Sequence, residues 1–427
     1  MTKVSLLVLL SAGVVAPVAL LGACATDNGD AVHGPQFGPP PERSDGGSEG
    51  SVTVEGGGPG PDGSTDGGAD ADGAPVPTCV GGGIVAVLAG TDSMLSGAVQ
   101  VDAGAWAGAT IVGGAAKSAP SLVAFGTGFV GLTRGPSDAL QAVSYATSWS
   151  GVTSVGALTT LGTPALTVLG ANAQAVYLSG TLSDVNKFSR IQNSATSWTT
   201  TSDPVTPSGG TQSFGPSAGT IAAAGTDLVF AQDGDDEGLH VRKWDGAAWS
   251  PEPGLAVSGA VSGAGTLKTA APALVSVPGT FDLVLLYADN TVNHVIGFAT
   301  RTAATQVWSS AAVTQATAQT SEAMSGVLIS PSAVLVTFRG NDGKPYKMTG
   351  TLGAASVTWS LPSLLLADGS ATVDSAPAVA KGVCGDDAIA VFSSGGQVKA
   401  TRLRAGSWSV PGPVAGASGP RVSVATR

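Results

Sequence analysis

The sequence predicts an all-β fold of seven four-stranded antiparallel units that close into a ring. Three observations support this. A tryptophan recurs at similar spacing through residues 79 to 427, a proline-led apolar stretch recurs in step with it, and the two ends of this region supply complementary parts of one unit. Composition agrees, because 62 glycines and only 11% charged residues, against roughly 25% in an average domain, favour short strands and tight turns.

Residues 1 to 23 have the layout of a secretory signal peptide. Lys3 precedes a long apolar run that ends in Leu21-Gly22-Ala23-Cys24. This ending resembles the lipobox of bacterial lipoproteins, which implies that Cys24 is lipidated and anchors the protein to a membrane. An uncleaved transmembrane helix is the alternative, although Pro17 interrupts the run.

The residue after the lipobox bears on location. Because Ala25 rather than Asp follows Cys24, resemblance to known sorting patterns implies an outer-membrane lipoprotein of a Gram-negative cell envelope, facing either the periplasm or the surface.

Residues 24 to 78 are predicted to be a disordered tether that starts at the lipidated cysteine. The segment is rich in Gly, Pro and Asp and almost lacks large apolar side chains, so it cannot bury enough surface to offset the entropy of ordering. Its spaced acids suggest calcium, but the spacing is loose and no bidentate Glu follows, so no calcium site is predicted among Asp62, Asp66, Asp70 and Asp72.

A tryptophan marks each unit of the remaining region, residues 79 to 427. The gaps between successive members are 43, 49, 51, 59, 51 and 49 residues, and a hydroxyl residue follows six of the seven. The members are Trp106, Trp149, Trp198, Trp249, Trp308, Trp359 and Trp408.

A small-Pro-small triplet opens an apolar stretch once per unit, with Arg421 ending the last triplet and Met324 standing in for the proline once. Between this stretch and the tryptophan lie an apolar strand such as Leu228 to Ala231 and an alternating one such as Leu239 to Trp244. The tryptophan is expected to begin a fourth strand. Four short antiparallel strands in about 50 residues make one propeller blade. The prolines are Pro120, Pro164, Pro216, Pro272, Pro377 and Pro420.

The two ends of the region complete each other. Residues 79 to 107 supply a second, third and fourth strand, and residues Gly419 to Arg427 supply a first strand alone. Together they make a seventh blade without an open edge. The sequence therefore predicts a seven-bladed β-propeller closed by its C-terminal strand; stacked β-sandwiches are the structural alternative.

The three cysteines are far apart, and no CxxC or nearby His predicts a zinc site. With Cys24 assigned to lipidation, Cys79 and Cys384 remain. Both fall between the first and second strands of adjacent blades, where a disulfide would lock the ring at its seam. Two buried thiols are the alternative.

The Trp-Ser signature with a Pro-led inner strand resembles tectonin and fungal fucose-lectin propellers and, more distantly, sialidase-like propellers; it does not resemble WD40 or kelch repeats. The resemblance implies sugar binding between blades through aromatic stacking and a polar clamp. Aromatic residues make up only 5% of the chain, and one blade alone carries a second tryptophan, Trp244. The repeated tryptophans are therefore expected to pack between blades rather than to serve as sugar platforms.

No catalytic motif stands out. Sialidase Ser-x-Asp-x-Gly-x-x-Trp boxes, nucleophile elbows and metalloprotease motifs are absent. Arg134, Arg190, Arg242 and Arg339 occur without a recognisable setting. Enzyme activity is left open, with a non-catalytic role favoured, and no cofactor is predicted apart from a possible Ca²⁺ ion.

Polar residues concentrate in the loops between second and third strands, which share one face of a propeller. They could form a ligand face, or they could be the Asp, Asn and Gly that tight turns favour. Asp233, Asp235, Asp236 and Glu237 are the best Ca²⁺ candidates, although they lack the spacing of an EF-hand loop. The predicted ligand-face residues are Arg134, Asp233, Asp235, Asp236, Glu237, Asp289, Arg339 and Asp342.

The leading hypothesis is a lipid-anchored binding or scaffolding module of the cell envelope, monomeric, with a protein or glycan ligand. The alternative is a propeller hydrolase or lyase acting on polysaccharide, which would need two carboxylates roughly 5–9.5 Å apart. A net charge of −11 without a basic cluster argues against nucleic acid.

Overall fold

The computed structural model describes residues 79, 82–179, 187–194, 197–199, 203–205, 219–233, 238–252, 270–366 and 371–427. The predicted signal peptide, Cys24 and the tether of residues 24 to 78 lie outside the described residues, and so do Asp235, Asp236 and Glu237. The chain divides into two units, Met1–Gly73 and Ala74–Arg427, and every described residue belongs to the second.

Within the described residues, thirty strands form seven antiparallel sheets, the blades. The first strand of each blade is the inner one and the fourth is the outer one. Blade 1 contains β1 (Ile84–Gly90), β2 (Leu95–Val101) and β3 (Ala107–Ile111), and blade 2 contains β4 (Ser121–Phe125), β5 (Gly128–Arg134), β6 (Ala139–Tyr145) and β7 (Thr153–Thr159). Blade 3 contains β8 (Ala165–Leu169), β9 (Asn172–Ser179), β10 (Lys187–Asn193) and β11 (Asp203–Val205), and blade 4 contains β12 (Thr220–Ala224), β13 (Asp227–Asp233), β14 (Leu239–Trp244) and β15 (Trp249–Pro251).

Blades 6 and 7 have a fourth strand divided into two short segments, both paired with the third strand. The final strand of the chain returns to blade 1. Blade 5 contains β16 (Ala273–Ser276), β17 (Phe281–Ala288), β18 (Ile296–Thr302) and β19 (Ala312–Val313), and blade 6 contains β20 (Ser325–Ser330), β21 (Ala333–Arg339), β22 (Pro345–Leu352), β23 (Val357–Trp359) and β24 (Ser363–Leu364). Blade 7 contains β25 (Ala378–Lys381), β26 (Ala388–Ser394), β27 (Gln397–Arg404), β28 (Ser407–Trp408) and β29 (Gly412–Ser418). The final strand is β30 (Arg421–Thr426).

Helical structure in the described part of the chain is limited to one 3₁₀ turn at Pro136–Asp138. Accordingly, none of the described residues belongs to a helix of the length and apolar character needed to cross a membrane.

The ring is closed by the C-terminal strand, as the strand inventory predicts. β30 pairs with β1, so that the strand order of blade 1 is β3-β2-β1-β30. The inner strands β4, β8, β12, β16, β20, β25 and β30 contact one another in turn, and β30 contacts β25 on one side and β4 on the other. The prediction of a seven-bladed, four-stranded propeller is confirmed.

Seven hydrophobic clusters fill the joints between neighbouring blades, and each contains one of the repeated tryptophans. Trp359 of blade 6, for example, is 5% exposed and lies edge-on to Phe298 of blade 5, with ring centroids 5.6 Å apart. Trp149 of blade 2 covers Gly97 of blade 1, where a Cβ would lie 2.4 Å from the indole, too close to fit without displacing it. The repeated tryptophans pack between blades, as predicted, and in some joints, such as that of Trp408, part of the indole stays exposed.

The hydroxyl residue after the tryptophan closes the same blade. The side-chain oxygens of Ser150, Thr199, Ser309, Ser360 and Ser409 each accept a hydrogen bond of 2.9–3.1 Å from a backbone N–H of the third strand. The Trp-Ser/Thr signature therefore has a structural cause: the indole fills one joint, and the hydroxyl holds the third strand to the fourth.

Cys79 and Cys384 form a disulfide, as predicted, with their Cα atoms 4.7 Å apart. Cys384 lies in the turn between β25 and β26 of blade 7, and Cys79 precedes β1 of blade 1. Asp102 lies beside the bridge and accepts a hydrogen bond from the N–H of Gly83 at 2.9 Å. Since both sulfurs are joined to each other, this group offers no thiolate for a metal.

Candidate functional site

The predicted ligand-face residues mostly stabilise the loops that carry them. Arg134 donates from Nε and Nη2 to Oδ1 of Asp138 at 3.0 and 2.8 Å, and from Nη1 to the carbonyl of Leu161 at 2.8 Å. The hydrogen bond from Arg134 holds the pKa of Asp138 below its usual value. This pair fastens the loop of blade 2 to the start of blade 3.

Asp289 and Asp342 shape their own turns. Asp289 is 2% exposed, and its Oδ1 accepts from the N–H of Val295 at 2.8 Å and from the hydroxyl of Thr291 at 2.6 Å. Asp342 accepts from the Tyr346 hydroxyl at 3.0 Å. These contacts match the alternative interpretation, in which turn geometry explains the loop acids.

Arg339 ends β21 and pairs with Glu322, which lies in the connection that enters blade 6. Asp233 is the last residue of β13. Arg134, Asp233 and Arg339 are thus the last residues of second strands, and Asp289 and Asp342 lie in the loops that follow such strands.

A cleft of 480 Å³ lies between blades 6 and 7. Its walls come from the third and outer strands of blade 6 and from the turn and outer strand of blade 7. The indole of Trp408 is half-buried, so part of the ring faces the cleft. The lining residues are Lys347, Leu364, Leu365, Leu366, Gly406, Ser407, Trp408, Ser409, Val410 and Pro411.

Lys347 provides the positive charge of this cleft. Its Nζ lies 5.6 Å from the centroid of the Trp408 ring and donates to the carbonyl of Leu364 at 3.2 Å. Burial lowers the pKa of the ammonium group. An ammonium group has three N–H donors, and the carbonyl of Leu364 accepts from one of them, so Lys347 can also donate to an oxygen of a bound molecule.

The rim of the cleft is apolar. Val410, one of the lining residues, is 89% exposed. The site therefore combines an aromatic ring, an apolar rim and a charged donor in a concave surface.

A second cleft, of 350 Å³, lies between blades 2 and 3 at the equivalent tryptophan, Trp198. Ser144, Ser150 and Asn193 make its lining more polar, and the described lining contains no charged side chain. The cleft at Trp408 therefore differs from the cleft at Trp198 in having a lysine in its lining.

Lys347 was missed at the sequence level, although a signal existed. Along β22 the side chain of Met348 packs in the cluster of blades 5 and 6, so the alternation of strand side chains turns Lys347 toward blade 7.

No protein-family model matches the chain, and no curated protein matches it. Among solved structures it is similar to a leech intramolecular trans-sialidase (11% identity, TM-score 0.46, 64% of each chain covered). It is also similar to the NanB sialidase of Streptococcus pneumoniae (11% identity, TM-score 0.45, 65% of each chain covered). A six-bladed fungal fucose lectin from Aleuria aurantia matches at 13% identity and TM-score 0.44, over 67% of this chain and 97% of the lectin.

The chain spans slightly less than two thirds of the length of the two sialidases. The fungal lectin has six blades, whereas the described part of this chain forms seven.

Proposed function

We propose that this protein is a carbohydrate-binding propeller and that the cleft between blades 6 and 7 holds a sugar against Trp408. The observation that carries the proposal is the half-buried indole with the Lys347 ammonium 5.6 Å from its ring centre, inside a cleft of 480 Å³. Small-molecule sites have volumes of about 300–1,000 Å³.

The chemistry of the cleft suits a sugar. One face of a pyranose ring presents C–H groups, which pack favourably on an indole, while its hydroxyls require hydrogen-bond partners. Trp408 supplies the first and Lys347 the second. Val410 would lose exposed apolar surface when a sugar covers the rim.

Binding without turnover is favoured over hydrolysis. The described lining of the cleft contains no Asp or Glu, whereas glycoside cleavage requires a pair of carboxylates. A polysaccharide hydrolase or lyase remains the alternative only if another part of the chain supplies such a pair.

The proposal includes the position of the propeller in the cell. Lipidation at Cys24 would attach the chain to the outer membrane of the cell envelope, and residues 25 to 78 would hold a monomeric propeller near that surface. The ligand would then be a glycan of the envelope or of the cell's surroundings.

The test is a glycan array probed with the full-length protein, followed by calorimetry on the hits. Trp408→Leu and Lys347→Met are expected to raise the dissociation constant about tenfold or more, since each removes a direct contact. Trp149→Leu is the matched control, because it changes the same repeat position in another joint.

The proposal is supported if the two cleft variants lose binding while Trp149→Leu keeps it. Equal binding by all three variants, or no hit on the array, would refute it. Turnover of a bound glycan would favour the hydrolase alternative instead.

A further inference from the structure

At one position of the third strand, blade 4 carries a charged side chain where the other six blades carry an uncharged one. In every blade, one residue of the third strand lies opposite the middle of the second strand and faces the preceding blade. In blade 4 this residue is Arg242, opposite Phe230. In blades 1, 2, 3, 5, 6 and 7 it is Ala98, Val143, Ile191, Ala299, Met348 and Thr401.

The next layer of blade 4 is also polar. Gln232 lies two residues beyond Phe230 on β13 and faces blade 3 as well, because strand side chains alternate. In most other blades an aromatic or small residue takes this place, for example Tyr177, Tyr287 or Phe338. Arg242 and Gln232 are therefore diagonal neighbours on adjacent strands, within reach of one ligand.

Both side chains are buried, and several of their polar atoms lack a partner among the described residues. Arg242 is 3% exposed and Gln232 is 0% exposed. Within the described part of the chain, Nε and Nη2 of Arg242 and both terminal atoms of Gln232 have no hydrogen-bond partner. An unpaired buried guanidinium is strongly unfavourable, and burial lowers the pKa of Arg242 for that reason.

Another arginine of this protein shows what the Nε and Nη2 edge of a guanidinium binds. Arg301 in blade 5 holds both carboxylate oxygens of Asp282 with its Nε and Nη2, at 2.9 and 2.8 Å. The Nε and Nη2 pair is the edge that Arg242 leaves without an acceptor. A guanidinium edge of this kind fits two carboxylate oxygens side by side.

We propose that the joint between blades 3 and 4 binds a small hydroxy carboxylate, with its carboxylate on the Nε and Nη2 edge of Arg242. The unpaired side-chain amide of Gln232 is the reason for proposing that the ligand also carries a hydroxyl group. Its Nε2 donates to an oxygen of the ligand, and its Oε1 accepts from a hydroxyl group, which a plain carboxylate does not have.

The surroundings of the joint fit an anion. A second guanidinium, that of Arg190 from blade 3, lies 4.1 Å from the ring centroid of Trp244 and donates to Oε1 of Gln174 at 2.6 Å. Phe188 and Phe230, 4.8 Å apart, line the same joint and limit access of water. In such a setting a charge-assisted hydrogen bond is stronger than at the surface. This site is separate from the cleft of blades 6 and 7, so either proposal can fail alone.

The experiment titrates the full-length protein with glycolate, acetate and ethylene glycol at constant ionic strength, followed by calorimetry and by thermal unfolding. Glycolate is expected to bind and to raise the melting temperature, acetate to bind more weakly, and ethylene glycol to have no effect. Arg242→Met, which installs the residue of blade 6 at this place, is expected to weaken glycolate binding about tenfold to a hundredfold. Gln232→Leu should reduce the preference for glycolate over acetate.

Arg404→Met is the matched control, since it removes an arginine from a partly exposed ion pair in blade 7 and should leave the response to glycolate unchanged. The proposal is overturned if glycolate and acetate leave the wild-type protein unchanged, or if Arg242→Met responds as the wild type does. A response that appears only after D235N, D236N and E237Q are combined also overturns it, because a carboxylate of the chain itself would then occupy the arginine.

Discussion

Ile84 and Arg427 exchange two backbone hydrogen bonds, each 2.9 Å long, from the N–H of one residue to the carbonyl of the other. They join the first described strand of the propeller to the last residue of the chain. The antiparallel pairing continues along β1 and β30 as far as the pair Gly90 and Arg421. The ring is therefore closed by main-chain bonds between segments more than 300 residues apart, in addition to the disulfide.

Deletion of residues 419 to 427 is expected to destabilise the whole propeller. It removes β30, exposes the edge of β1, and takes Val422 and Val424 from the cluster between blades 7 and 1. Thermal unfolding under oxidising conditions should show a lower melting temperature in a single cooperative change. A nine-residue deletion within 25 to 78 is the control and should change nothing; equal stability of both truncated proteins would contradict closure by β30.

Removal of the disulfide should destabilise the seam without changing the fold. Loop-closure entropy for a separation of 305 residues gives about 6 kcal/mol as an upper value. Cys79→Ser with Cys384→Ser should unfold at lower denaturant concentration than the wild type, and a reducing agent should lower the wild type to the same midpoint. If reduction leaves the wild-type midpoint unchanged, the bridge does not stabilise the ring.

Arg301 forms a buried ionic network between blades 4 and 5. It pairs with Glu252 at 2.9 Å, where the two side chains are 0% and 1% exposed, and Glu252 also accepts from the indole N–H of Trp308 at 2.9 Å. Arg301→Met should cost about 3–5 kcal/mol of unfolding free energy, because Glu252 would keep a buried charge without its cation. Denaturant titration measures the loss.

The double variant Arg301→Met with Glu252→Leu is the control for this network. It removes both charges of the buried pair, so it should recover much of the stability that the single variant loses. A single variant as stable as the wild type would show that the pair does not hold the joint.

The fold could be predicted because its signals repeat. The tryptophan spacing, the proline-led inner strand and the incomplete first and last units are properties of the chain in order, and they fix seven blades and the closure of the ring. The pairing of Cys79 with Cys384 followed from the equivalence of two turns. Each of these inferences compares positions along the sequence.

The sites were harder to predict, because they depend on which side chains meet across a joint. Glu252 and Arg301 are 49 residues apart, and nothing local in either segment indicates the other. Lys347 acquires its place beside Trp408 from the register of two different blades. The loop acids were visible in the sequence, but their hydrogen bonds to their own turns, as at Asp289, were not.

Asp374 should make stability depend on pH in the acid range. Burial alone would raise its pKa, but hydrogen bonds from the Ser393 hydroxyl at 2.6 Å and from the N–H groups of Gly396 and Gly395 at 2.8 and 3.1 Å outweigh burial, so the pKa lies below the ordinary 3.8. A pKa lowered by folding stabilises the protein above the unfolded pKa and ceases to do so as the pH falls through the folded pKa.

Asp374→Asn is therefore expected to lose stability at neutral pH and to converge with the wild type as the pH falls from about 5 toward 2. Because the carboxylate is exposed, the difference at neutral pH should be only about 0.5–1 kcal/mol. Parallel denaturant titrations of the two proteins at several pH values measure it. A constant difference across the range would rule out the titration of Asp374 as its cause.

Lipidation at Cys24 remains a prediction from the sequence, and it determines where the propeller works. A flexible tether of 54 residues, 25 to 78, would place the propeller roughly 40 Å from the membrane, by about 5–6 Å times the square root of the residue number. Cys24→Ser should accumulate as an unprocessed precursor that takes up no labelled palmitate, whereas Cys79→Ser, which leaves the lipobox intact, should be labelled like the wild type. Labelling that persists in Cys24→Ser would mean that the lipid is attached to another residue, which would contradict the assignment of Cys24 as the lipidated cysteine.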